Sequence, residues 1–214
     1  MVPDGGSSRH FTLFVRSYRL LAAVATLVAI SYEIGHELPH PDFYLSNFFS
    51  YFTELSNLFA AAVLLYLGLR AERRRGQRIE LVRGAAVLYM LTTGIVYAVL
   101  LSGSQASLEW VNTIVHRVMP AVVTLDWLLD PPAFDLQLLR ARAWLAFPVV
   151  YFAYTLIRGA IVNWYPYDFL DPRLSGGYPR VLANGLGIAI GQILMGLLII
   201  HSARRMRALR PSRA

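Results

Sequence analysis

The chain has 214 residues, 56% of them hydrophobic and 15% charged, with a mean hydropathy of +0.47, too apolar for an ordinary soluble domain. Its net charge of +7 comes from twenty basic residues, all arginine, set against thirteen acidic ones; they lie between long apolar runs and not along one face, which argues for a membrane and against nucleic acid. The absence of cysteine excludes disulfides, thiolate metal sites and a cysteine nucleophile.

A hydrocarbon core about 30 Å thick takes roughly 20 apolar helical residues. Six segments reach that length: 13–35, 46–69, 83–102, 109–130, 142–164 and 179–201. They predict an all-α integral membrane protein, a six-transmembrane-helix bundle over 13–201 with a short segment 1–12 before it and a basic tail 202–214 after it. The first segment has a basic lead and the small pair Ala29 and Ser31, as a signal peptide does. Its length, and the charge balance of the other five, favour a retained span. Sixteen arginines fall on one side of this layout: Arg9, Arg16 and Arg19, six from Arg70 to Arg83, Arg140 and Arg142, and five from Arg204 to Arg213. Only Arg173 and Arg180 fall in the opposite loops, so the positive-inside rule predicts a cell-membrane protein with both termini cytoplasmic. Trp110, Trp164, Tyr165, Tyr167 and Tyr178 in those loops read as an interfacial belt.

Ionisable groups inside spans are costly and point to function. In chain order the polar residues are Glu33; Thr53, Glu54 and Asn57; Asn112, His116 and Arg117; Arg158 and Asn163; and Asn184. All fall toward the outer side, with Thr53 and His116 both about 10 Å below the boundary at helical rise. Thr53 and Asn57 share a helix face, as do Asn112 and His116. A polar cavity open to the outer leaflet is one reading; a structural network in which Glu33 or Glu54 neutralises Arg117 or Arg158 is the other. Asp126, near the inner end of the fourth segment, is expected to pair with Arg140 or Arg142.

His36-Glu37-Leu38-Pro39-His40 matches the H-E-x-x-H of zinc hydrolases, but Pro39 breaks the helical turn that would bring the imidazoles together, so neither a metal nor another cofactor is expected. Gly187 and Gly191 form a G-x-x-x-G, read as close helix packing within the bundle or at a homodimer face. Ser102-Gly103-Ser104 is not a nucleophile elbow.

Phe49-Ser50-Tyr51-Phe52-Thr53-Glu54-Leu55-Ser56-Asn57, the stretch Asn112 to Pro120, Leu125-Asp126-Trp127-Leu128-Leu129, Ile157-Arg158-Gly159 and Trp164-Tyr165-Pro166-Tyr167-Asp168-Phe169-Leu170 together resemble the androgen-induced family of integral-membrane hydrolases, most closely its bacterial relatives. The resemblance spans most of the chain and rests on the order of short motifs on successive spans. It implies a lipid-ester (fatty acid ester) hydrolase with Thr53 as nucleophile and His116 as base. Two positions depart from it: Arg117 stands where eukaryotic members carry a small hydroxyl residue, and Glu54 adds a charge beside Thr53. In such a mechanism Asn57 or Asn112 would donate to the oxyanion, and Arg117 or Arg158 would hold a substrate carboxylate. Matched-depth polar groups serve a non-enzymatic membrane protein that binds a lipid or small solute equally well.

Overall fold

The computed structural model describes residues 5–70, 75–101, 103, 108–132 and 134–209. Arg73, Arg74, Arg210, Arg213, Ser102 and Ser104, all read above from the sequence, lie outside the described residues, as does the side chain of Arg9. Every regular element among the described residues is helical, the form in which an apolar segment satisfies its own backbone. These are α1 (Gly5–Glu37), α2 (Leu45–Phe48), α3 (Phe52–Leu69) and α4 (Gln77–Val96), which runs into a π turn at Tyr97–Leu101. There follow α5 (Glu109–Thr113), a second π turn (Ile114–Val118) and α6 (Met119–Leu129). The chain then forms α7 (Leu138–Ala141), a 3-10 turn (Arg142–Leu145) and α8 (Ala146–Val162). A 3-10 turn (Asp168–Leu170) precedes α9 (Gly177–Ala208).

Five helical stretches are long and apolar enough to cross a membrane: His10–Glu37, Phe52–Leu69, Gln77–Leu101, Leu138–Val162 and Gly177–Ala208. The fourth expected span, 109–130, is helical from Glu109 to Leu129, but a π turn divides it and it carries Glu109, Arg117 and Asp126. The second, 46–69, is not one helix. Phe49, Ser50 and Tyr51 separate α2 from α3, with Tyr51 extended at φ −79° and ψ 134°. Thr53 is therefore the second residue of a helix and not two turns inside one.

Small side chains let helices approach closely, and Ala23, Ala60, Ala61, Ala85 and Ala86 are buried where α1, α3 and α4 meet. Helix α8 is held off by aromatic rings. Phe147 and Tyr151 on α8 meet Phe52 at centroid distances of 5.2 Å, and Phe147 meets Tyr89 at 5.0 Å. The outward faces of α8 and α9 are apolar and exposed, with Ile157, Ile161, Leu186 and Leu198 among them, as in a membrane protein. Gly187 and Gly191 pack closely against nothing in the chain; they line a groove of about 290 Å³ between α4 and α9, so the tight contact expected inside the bundle is not made.

At the arginine-rich end, three arginines and three carboxylates form one buried network. Arg19 on α1 donates to Asp126 on α6 at 2.5 Å and to Asp130 at 2.8 Å. Arg83 on α4 donates to Asp126 at 2.9 Å and to Glu80 at 2.7 Å. Arg75 joins Glu80 at 2.8 Å to Asp130 at 2.5 Å, and the Tyr18 hydroxyl donates to Asp126. Asp126 thus pairs with Arg19 and Arg83, not with Arg140 or Arg142; Arg140 reaches Gln77 instead. Three residues read as topology charges are structural, because a carboxylate at this depth attracts the nearest guanidinium whatever loop or helix bears it.

Removing one member strands the others. Asp126→Asn is expected to destabilise the protein by about 3–5 kcal/mol, seen as a lower thermal midpoint in detergent by tryptophan fluorescence. The double variant Arg19→Leu with Asp126→Leu is expected to recover part of that loss.

Candidate active site around Thr53 and His116

Proline lacks the N–H that a carbonyl four residues earlier would receive, and its ring crowds that carbonyl. Pro120 stands four residues after His116, and the helix ahead of it opens into the π turn Ile114–Val118, with His116 at its centre. Such turns leave carbonyls short of partners. The Asn57 side chain supplies one: its Nδ2 donates to Val115 O at 3.0 Å and to Thr53 O at 2.9 Å. Asn57 is fully buried and commits both amide hydrogens to this tie between α3 and the π turn. It has none left for the oxyanion role assigned to it from the sequence.

This tie brings Thr53 Oγ1 to 3.2 Å from His116 Nε2. The other ring nitrogen, Nδ1, lies 3.3 Å from the Asn112 carbonyl oxygen, which only accepts. The neutral imidazole that satisfies both contacts carries its proton on Nδ1 and presents the Nε2 lone pair to the threonine hydroxyl. The ring is stacked on Tyr97 at 4.2 Å, and the Tyr97 hydroxyl accepts from Asn112 Nδ2 at 2.8 Å. The imidazole is thus fixed in plane and in tautomer. Asn112 acts through the histidine, and one of its amide hydrogens already serves Tyr97.

The break before α3 places Thr53 in the first turn of an 18-residue helix, where backbone N–H groups lack intrahelical acceptors and the dipole is positive. Two tyrosines cap them. Tyr151 Oη accepts from Phe52 N at 3.1 Å while donating to Ser50 O at 2.9 Å. Tyr167 Oη accepts from Thr53 N at 3.3 Å and lies 3.4 Å from Thr53 Oγ1. With the threonine proton directed at His116, the Tyr167 hydroxyl donates to Thr53 Oγ1. Tyr167 is buried, and sequence reading had assigned it to an interfacial belt. The signal present was its place in a Tyr-Pro-Tyr loop next to Gly159, which has no Cβ and leaves room for the Tyr165 ring.

That loop is fastened at several points. Asn163 ends α8 in the left-handed conformation, φ 55°, which asparagine tolerates. Arg173 donates to Asn163 O at 2.6 Å and to Asp171 at 2.5 Å. Asn184 Nδ2 donates to Phe169 O at 3.0 Å, so Asn184 anchors the loop and does not line the Thr53 cavity.

The other predicted residues lie elsewhere. Arg158 is held by Asn47 Oδ1 at 2.6 Å and stacks over Trp164. Arg117 is exposed over the Tyr97 ring. Neither forms an ion pair with Glu33 or Glu54 among the described residues. Glu33 and Glu54 influence one another across α1 and α3, and each has one buried carboxylate oxygen with no partner among the described residues. Helix α1 ends at Glu37, so His40 lies beyond it and the rings of His36 and His40 stand 5.9 Å apart, centre to centre.

The cavity that Thr53 lines holds about 360 Å³ and is bounded mostly by apolar side chains of α4, α8 and α9, with Phe52 and Tyr167 beside Thr53 at one end. The polar cavity expected from the sequence is therefore two things: a hydrogen-bonded Thr-His-Tyr cluster, and an apolar chamber against it. Val149, Leu182 and Leu186, all exposed, lie along its rim between α8 and α9. Compared with family models, curated proteins and solved structures, the chain matches none.

Tyr167→Phe leaves the buried Thr53 N–H without an acceptor, at a cost of about 1–3 kcal/mol. Its thermal midpoint is expected to fall while that of Tyr165→Phe, which keeps the ring against Gly159, stays near the parent value.

Proposed function

We propose that the protein is an intramembrane hydrolase of lipid esters, acting through a Thr53–His116 dyad, within a six-span bundle whose arginine-rich end is cytoplasmic. The observation that carries this reading is the 3.2 Å contact between Thr53 Oγ1 and a His116 Nε2 that presents a lone pair. The apolar chamber of about 360 Å³ beside it is in the range of small-molecule sites and suits a hydrocarbon chain.

The steps follow from the positions of the groups. His116 Nε2 takes the Thr53 proton as Oγ1 attacks the ester carbonyl carbon. Negative charge builds on the former carbonyl oxygen, where the Tyr167 hydroxyl and the N-terminal amides of α3 supply the compensating field. His116 returns its proton to the departing alkoxide, leaving an acyl-threonine. Water then attacks that ester, gives a proton to His116 and restores Thr53 on release of the acid. The six-span arrangement is supported by the continuous helix from Glu109 to Leu129, about 30 Å long at 1.5 Å per residue, and by the arginine distribution.

A fluorophosphonate probe reports an activated hydroxyl. Labelling of the wild-type protein is expected, with loss in Thr53→Ala and a fall of at least about 100-fold in His116→Ala, the usual weight of a general base. Ester hydrolysis that persists in folded Thr53→Ala would sink the mechanism; retained lipid binding with no turnover in the wild type would instead make the chamber a binding site. For topology, the cysteine-free chain allows single labels: in intact cells an impermeant maleimide is expected to react with Ser175→Cys and not with Ala208→Cys, and the opposite pattern overturns the orientation.

A further inference from the structure

The chamber beside Thr53 does not end on hydrocarbon. Its α9 wall runs from Leu182 to Gln192, about 15 Å at helical rise. That is half of a hydrocarbon core about 30 Å thick, the depth of one leaflet and the reach of one acyl chain. At the end remote from Tyr167 the wall is formed by Thr92, Thr93 and Gln192, which are 4%, 4% and 3% exposed. Thr92 Oγ1 donates to Leu88 O at 2.8 Å and accepts from Gln192 Nε2 at 3.4 Å, which fixes α4 and α9 at one level. Thr93 Oγ1, also buried, has no hydrogen-bond partner among the described residues. A hydroxyl left unpaired at such depth is costly, and this one sits in the wall of a space that an occupant fills.

We propose that Thr93 and Gln192 form a hydroxyl-recognition subsite at the floor of the chamber. It selects acyl chains that carry a hydroxyl group toward the methyl end, on the half of the ester that becomes attached to Thr53. A chain hydroxyl is both donor and acceptor, so it takes the Thr93 proton and gives its own to the Gln192 amide oxygen. An unsubstituted chain of the same length leaves both groups unpaired, and this asymmetry between a missing and a satisfied partner gives such sites their discrimination. A keto group at the same carbon satisfies Thr93 alone. The location of the ester rests on the hydrolase reading; occupancy of the floor does not.

The experiment uses full-length Thr53→Ala protein in lipid nanodiscs loaded with a fluorescent fatty acid. Displacement is measured with the saturated acid, and with acids of that length bearing a hydroxyl or keto group at successive carbons. One hydroxyl position in the distal part of the chain is expected to displace the probe about tenfold better than the plain acid, the weight of one to two hydrogen bonds, with the matching keto acid between them. The preference is expected to vanish in Gln192→Leu and Thr93→Val, to survive in Thr93→Ser, and to leave plain-acid affinity intact in all three, which also reports that they fold. Equal displacement by every acid, a preference that survives Thr93→Val with Gln192→Leu, or no probe binding at all overturns the inference. Turnover of esters by the wild type without this preference defeats the subsite and spares the hydrolase; the preference without turnover does the reverse.

Discussion

The bundle is held at one end by the mutual neutralisation of Arg19, Arg75 and Arg83 with Glu80, Asp126 and Asp130. Charges taken out of water cost several kcal/mol each unless every one is paired and hydrogen-bonded. Here the count is even, and Asp126 receives two arginines and a tyrosine. Because the partners come from α1, α4, α6 and the segments beside them, only one relative placement of these helices satisfies all six. That placement sets α3 between α1 and α4, and so sets where the opposite end of α3 emerges.

At that opposite end two local failures of helix become the site. The chain leaves helical geometry at Phe49 to Tyr51, which turns Thr53 from an interior residue into one of the first turn, with its amide free for Tyr167. Pro120 disrupts the helix that follows it in the fold, and the π turn that results rotates His116 toward Thr53. Asn57 joins the two irregularities by capping the strained carbonyls on both sides. A straight α3 and a regular 109–129 helix would each have buried their polar side chains in ordinary i to i−4 bonds. Helix α8, propped away by Phe52, Tyr89, Phe147 and Tyr151, leaves space next to this cluster and not elsewhere along α3.

Much of this was legible in the chain because hydropathy has a long range. The helices, their approximate limits and the matched level of Thr53 and His116 follow from apolar length and residue spacing. What was not legible depends on side chains meeting across helices. Asp126 was assigned to the arginines of the adjoining loop because sequence offers proximity along the chain, whereas its partners lie more than forty positions away. Asn57 and Asn184 looked like site donors because an asparagine in a span is conspicuous, but a buried amide is as well suited to tying down a distorted backbone. Tyr167 was hidden among aromatic loop residues, since nothing in its neighbours tells a ring at an interface from one folded back over a helix terminus. Pro120 was the one local mark of the π turn, visible but readable only once His116 is known to need rotation.

The distribution of unmet hydrogen bonds separates the two ends further. Among the described residues, buried side-chain atoms with no partner occur at Glu33, Glu54, Ser56, Asn57, Thr93, Thr155 and Arg180, and none belongs to the arginine network. A network with every member satisfied gains rigidity and specifies one packing. Groups left unsatisfied raise the free energy of the folded state, and they persist where something other than stability requires them. Their segregation means that disturbing the Thr53 end costs little in fold, because the helices are registered from the other side. The rigid end therefore allows the opposite end to keep polar groups unpaired, and those groups are what a substrate entering between α8 and α9 would meet.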